Sequence, residues 1–176
     1  MPARELERCP GCDALLPKTD GPTHRYIGAS PACWALFSSL LNAREPPLAP
    51  APTNALLGDA YAAQHPGWPS DQAIQSVAMH LVTLHGVLER GVAAGNALWV
   101  RNRALRQRKG TKQRPFRWLE PPSFAGSPTV ADIVRAPTPE ARATRAHEYV
   151  LAVLSLWSRV HGTTIAAWYD EFVLAD

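Results

Sequence analysis

Residues 70–88 read S-D-Q-A-I-Q-S-V-A-M-H-L-V-T-L-H-G-V-L. Ile74, Val77, Ala78, Leu81, Val82, Leu84, Val87 and Leu88 recur at intervals of three and four residues, the spacing that gathers apolar side chains on one face of a helix. Ser70 supplies a side-chain oxygen for the unpaired amides of the first turn. No other stretch alternates with the period of two that a half-buried strand requires. The fold class is therefore all-α: a helical bundle with an N-terminal zinc-bound loop segment.

Upstream, Thr53 or Asn54 opens a helix through Leu56, Leu57, Ala60 and Tyr61 to His65, where Pro66-Gly67 stops it. Before it lies the proline-rich connector 46–52. Earlier still, Ser30 caps and Pro31 begins a helix over 31–43 carrying Ala32, Leu36, Phe37, Leu40 and Leu41. Downstream, Gly91 and Gly95 predict a break, followed by a helix through Ala97, Leu98, Val100, Ala104 and Leu105. The stretch from Pro115 to Pro128 reads as an irregular crossover whose Phe116, Trp118, Leu119 and Phe124 pack inward. Thr129 with Asp132 forms a capping box for a short helix through Ile133 and Val134. Thr138 and Pro139 open a long helix with Val150, Val153, Leu154, Trp157 and Val160 on its apolar face. Gly162 is expected to end it, leaving a last helix from about Thr163 with Ile165, Trp168, Tyr169, Phe172 and Val173.

A chain of 176 residues, 46% of them hydrophobic, suits one domain with a small appendage. The expected division is a zinc-binding segment over 1–33 packed on a helical domain over 31–176. Neither a basic, apolar leader nor a run of about 18 apolar residues is present, so a cytoplasmic protein with no membrane association is expected. Three cysteines, two of them spaced C-x-x-C, favour metal over disulfide chemistry in a reducing compartment.

In Cys9-Pro10-Gly11-Cys12 the two intervening residues form a turn that brings both sulfurs inward, one edge of a zinc tetrahedron. His24 and Cys33 would complete it, with Cys33 in the first turn of a helix whose dipole favours a thiolate. Asp13 or Asp20 could stand in place of His24, and the bland alternative makes Cys33 an ordinary buried cysteine beside Trp34. A thioredoxin-like redox pair is disfavoured because the motif follows no strand-like hydrophobic run and belongs to no βαβ pattern. Four protein ligands leave no open position, so the ion, Zn2+, would be structural.

A second polar set lies on otherwise apolar helices. Asp59, His65, His80 and His161 are candidate catalytic residues, forming a pocket that holds a second divalent metal or places a general base beside an acid. Asp59 and His65 are six residues apart, about 240° around an ideal helix, and share a face only if the helix unwinds before Pro66. The competing reading makes each a hydrogen-bonded core histidine; His85 and His147 look ordinary.

Charge is concentrated in one place. Residues 101–117 hold eight Lys or Arg and no acid, while the rest of the chain carries ten basic and fifteen acidic side chains. With Trp99, Phe116 and Trp118 interleaved, that run could contact phosphates and stack on bases. As a plain alternative it is a solvated helix end, and no nucleic-acid-binding motif accompanies it.

The segments C-P-G-C, D-G-P-T-H-R-Y, S-P-A-C-W, D-A-Y-A-A-Q-H-P-G, Q-S-V-A-M-H-L-V and W-L-E-P-P resemble DUF5946, a bacterial family of unknown function, over about three quarters of the chain. The resemblance implies that Cys9, Cys12, His24, Cys33, Asp59, His65 and His80 belong to the family pattern, and it brings no activity with it. A looser likeness is to the DinB-like helical bundles, which place three histidines around a metal; their H-x-x-x-H pair is absent here. Together these readings lead to a zinc-binding helical protein with a His/Asp pocket, acting as a metal-dependent enzyme on a small-molecule substrate. The alternative is a non-enzymatic protein that binds nucleic acid or an acidic partner through 101–117.

Overall fold

The computed structural model describes residues 5–42, 48–106 and 116–175. Two short strands, β1 (Leu6–Arg8) and β2 (Leu15–Pro17), precede α1 (Pro31–Asn42), α2 (Thr53–Gln64), α3 (Asp71–Leu88), α4 (Ala97–Arg106), α5 (Val130–Arg135) and α6 (Pro139–Tyr169). A 3-10 turn at Ala94–Asn96 leads into α4, and a π turn at Asp170–Leu174 closes α6.

Local chemistry sets most of the helix starts. The Ser30 hydroxyl accepts from the Cys33 amide at 3.3 Å, Ser70 from Ala73 at 3.2 Å and Thr138 from Ala141 at 3.1 Å. At α5 the Thr129 amide donates to the Asp132 carboxylate at 2.8 Å, the reciprocal arm of a capping box. α2 differs: Pro52 takes the cap position without a side-chain bond, and Thr53 Oγ1 meets His147 Nδ1 of α6 at 3.0 Å.

The three longest-buried faces meet in the middle. α2, α3 and α6 pack on one another, α4 lies on α3, and α5 bridges α1 and α6. Tyr61, Leu81, Leu84, Trp157 and Ile165 are fully buried where they meet. The Trp157 indole N–H donates to the Ala63 carbonyl at 3.0 Å, which fixes α6 against the end of α2. In the crossover, Phe116, Leu119 and Phe124 are buried, and Phe116 sits edge-on to Trp168 and Phe172. Pro139–Leu174 is the one helix among the described residues long and apolar enough to cross a membrane. Its stripe through Tyr149, Val150, Val153, Leu154, Trp157 and Ile165 is buried in the core.

Two sequence expectations are corrected. The N-terminal segment is not all loop: β1 and β2 pair antiparallel, with Glu7 opposite Leu16. Strands of three residues are too short to display alternation, and the C-P-G-C turn between them holds them together. Nor does Gly162 end the long helix, which runs unbroken through it to Tyr169. A glycine costs a helix about 1 kcal/mol but terminates it only in a left-handed conformation. Gly162 has no positive φ, and Ile165 and Trp168 extend the same buried stripe beyond it.

The basic run is partly internal. Arg101 bonds Asp59, and Arg103 donates to the carbonyls of Val173 and Ala175 at the chain's end. Arg117 reaches Thr164 Oγ1 at 3.4 Å. Arg108, Lys109, Lys112 and Arg114 lie outside the described residues.

Candidate metal centre

The β1–β2 turn, the first turn of α1 and the end of α2 converge on a small polar centre inside apolar surroundings. The Sγ atoms of Cys9, Cys12 and Cys33 and a ring nitrogen of His65 all lie within 4.8 Å of one another, and all four residues are buried. Zn–S bonds of about 2.3 Å make tetrahedron edges of about 3.8 Å. Cys12 Sγ lies 3.9 Å from Cys33 Sγ, and Cys33 Sγ 3.4 Å from His65 Nε2. These four residues could therefore hold a metal ion in tetrahedral geometry.

The imidazole is positioned for that task. His65 Nδ1 donates to the Tyr61 carbonyl at 2.8 Å, so the proton sits on Nδ1 and the Nε2 lone pair is left for the centre. The backbone leaves α2 at this residue, with φ −124° and ψ 63°, which swings the ring out of the helical row. Gly11 makes the approach feasible: a Cβ there would stand 2.5 Å from His65 Cδ2 and 2.8 Å from the Gly28 carbonyl oxygen. The Gly28 amide in turn donates to the His65 carbonyl at 3.0 Å.

The three thiols perturb one another strongly. Hydrogen bonds from Cys12 and then Cys33 pull the Cys9 thiol far down. Cys33 and then Cys9 push Cys12 far up by the same crowding, with burial adding to it. Cys33 is drawn down by Cys12 but, with Cys9 and burial opposing, is pushed up to about 12. Three buried thiols cannot all ionise beside one another unaided; a divalent ion removes the conflict and deprotonates them together. The Ser30 amide already donates to Cys9 Sγ at 3.4 Å and the Tyr61 hydroxyl to Cys33 Sγ at 3.6 Å, as partners of thiolates do.

His24 lies outside this group. Its ring packs edge-on to Tyr26 at 4.4 Å and against Trp34 at 5.3 Å. Of the two alternatives, neither Asp13 nor Asp20 belongs to the cluster, and Asp13 is paired with Arg8 at 2.9 Å. The fourth residue that lies with the three cysteines is His65, which the sequence places in a set with Asp59. The useful signals were the 240° that already separate His65 from Asp59 on an ideal helix and the H-P-G sequence, because a histidine beside a helix-stopping proline is released from the helical row.

The polar set of helical residues divides the same way. Asp59 and His80 do meet, with His80 Nδ1 donating to Asp59 Oδ1 at 2.7 Å. Arg101 donates Nε to Oδ1 at 2.9 Å and a terminal nitrogen to Oδ2 at 2.6 Å. Both carboxylate oxygens are thus engaged by side chains of α3 and α4. His161 is on the far side of Trp157, its Nε2 donating to the Glu120 carbonyl at 2.8 Å.

No curated protein and no solved structure matches the chain. The model of a family of unknown function, DUF5946, matches residues 7–158, which include all four residues of the centre together with Asp59 and His80. The chain belongs to the DUF5946 family.

Proposed function

We propose that Cys9, Cys12, Cys33 and His65 bind one zinc ion whose role is structural, tying the β1–β2 hairpin to the start of α1 and the end of α2. The observation that carries this reading is the committed tautomer of His65, whose Nδ1 proton goes to Tyr61 and whose Nε2 faces three sulfurs. Sulfur and imidazole donors in a three-to-one set select zinc among the common divalent ions. The ion supplies folding energy by neutralising the thiolates, and its four protein ligands leave no position for a substrate. The protein's own contribution is to preset the site. The Gly11 turn admits the ring, Ser30 and Tyr61 donate to sulfur, and the buried aromatic pair Phe37–Tyr61, stacked at 3.7 Å, backs it.

Metal analysis of the purified protein tests this directly. One zinc per chain is expected, lost together with much of the thermal stability on prolonged chelation at denaturing temperature. A protein that contains no metal and melts identically with and without chelator contradicts it.

A further inference from the structure

His80 has one ring nitrogen spoken for and one to spare. Its Nδ1 proton is held by Asp59, whose side chain is fully buried and clamped by Arg101, while the His80 side chain is 19% exposed. Nε2 has no hydrogen-bond partner among the described residues. The ring borders a pocket of about 330 Å³, shared with His24, Gln72, Gln75 and Ser76 and floored by Ile27 and Met79. That volume suits a small molecule. His24 adds an independent sign: its Nδ1 is buried without a hydrogen-bond partner among the described residues. A buried polar atom left unpaired is costly unless something else satisfies it.

We propose that this pocket is a hydrolytic site in which His80 acts as general base on water, against a small uncharged ester. Among the described residues the lining carries no formal charge when its histidines are neutral, so a charged ligand would meet no counter-charge from them. Neutral donors suit a carbonyl oxygen, and the amides of Gln72 and Gln75 and the His24 ring are of that kind. His80 Nε2 takes a proton from water as the water oxygen bonds the carbonyl carbon. The tetrahedral adduct then expels the alcohol oxygen, and the same proton passes from Nε2 to it. Asp59 is a positioning residue, holding the tautomer in which Nε2 is the acceptor. This site is separate from the metal centre and does not depend on the zinc assignment.

The probe is p-nitrophenyl acetate with the full-length, metal-loaded protein. Native protein should hydrolyse it faster than an equal concentration of free imidazole. His80→Gln should lower the rate at least tenfold, and Gln75→Trp, which puts a larger side chain into the pocket and leaves residues 59, 80 and 101 unaltered, should lower it similarly. His147→Gln should leave it unchanged. Asp59→Asn should also change the His80 tautomer in long-range 1H–15N spectra, which loss of packing alone does not do. A native rate no higher than imidazole, or native rates in both His80→Gln and Gln75→Trp, overturns the proposal. Should His80→Gln lose its fold by circular dichroism, Gln75→Trp decides alone.

Discussion

Gly11 and His65 are 54 positions apart in sequence, yet a methyl group on Gly11 would stand 2.5 Å from the imidazole Cδ2. The C-P-G-C turn and the end of α2 are therefore built around each other. The second obstruction, the Gly28 carbonyl at 2.8 Å, belongs to backbone and does not rotate away. Gly11→Ala should destabilise the protein by about 2–3 kcal/mol, as overpacking of a tight site does. It should also weaken metal retention, read by thermal denaturation and by competition with a chromophoric chelator. An alanine variant that melts and holds metal like the native protein would show that the turn has room to spare.

Much of this was legible in the sequence. The caps at Ser70, Thr138 and Thr129 and the periodicity of 70–88 are local signals, and local signals decide helices. Cys9, Cys12 and Cys33 were also readable, because a C-x-x-C turn and a cysteine in a first helical turn each have their own geometry. The fourth member of the cluster was not. His24 is near the cysteines in sequence, whereas His65 reaches them only because α2 packs against α1 and unwinds at its last residue, a tertiary fact that no spacing rule contains. The hairpin was hidden for a related reason: its strands are shorter than the window in which alternation can be seen.

The continuity of α6 through Gly162 gives a second expectation. The nearest atom to a Cβ placed there is Ser158 Cβ at 3.7 Å, ordinary contact distance, and the backbone is already helical. Gly162→Ala should stabilise the protein by about 0.4–1 kcal/mol by reducing the entropy of the unfolded chain. Urea denaturation checks this, and destabilisation would mean that the helix breaks at Gly162 after all.

Tyr149 is fully buried and its hydroxyl has no hydrogen-bond partner among the described residues. Burial, reinforced by the nearby Cys12, raises its phenol well above the ordinary value. With the folded-state pKa raised, the stabilising contribution is complete below about pH 10 and is lost as the pH climbs from there toward the folded value, because only the unfolded chain ionises in that window. Tyr149→Phe should therefore be neutral or stabilising by about 1 kcal/mol at pH 7. It should also flatten the fall in stability above pH 10, as measured by melts across pH 7 to about 11. An alkaline limb of unchanged steepness would point to other groups.

Trp157 joins two helices with one bond. Replacing it with Phe removes the donor to the Ala63 carbonyl and leaves part of the indole volume empty. A loss of about 1–3 kcal/mol is expected from the stranded acceptor and the cavity together. Because Ala63 lies two residues before His65, chelator competition on the same variant reports whether the end of α2 has shifted.

The identity of the fourth ligand is the central claim, and parallel metal analysis of His65→Asn and His24→Asn tests it most directly. His24→Asn should keep one zinc per chain with near-native affinity. His65→Asn should lose the metal on dialysis against a chelator that leaves the native protein loaded. Retention by His65→Asn together with loss by His24→Asn would contradict the centre described here.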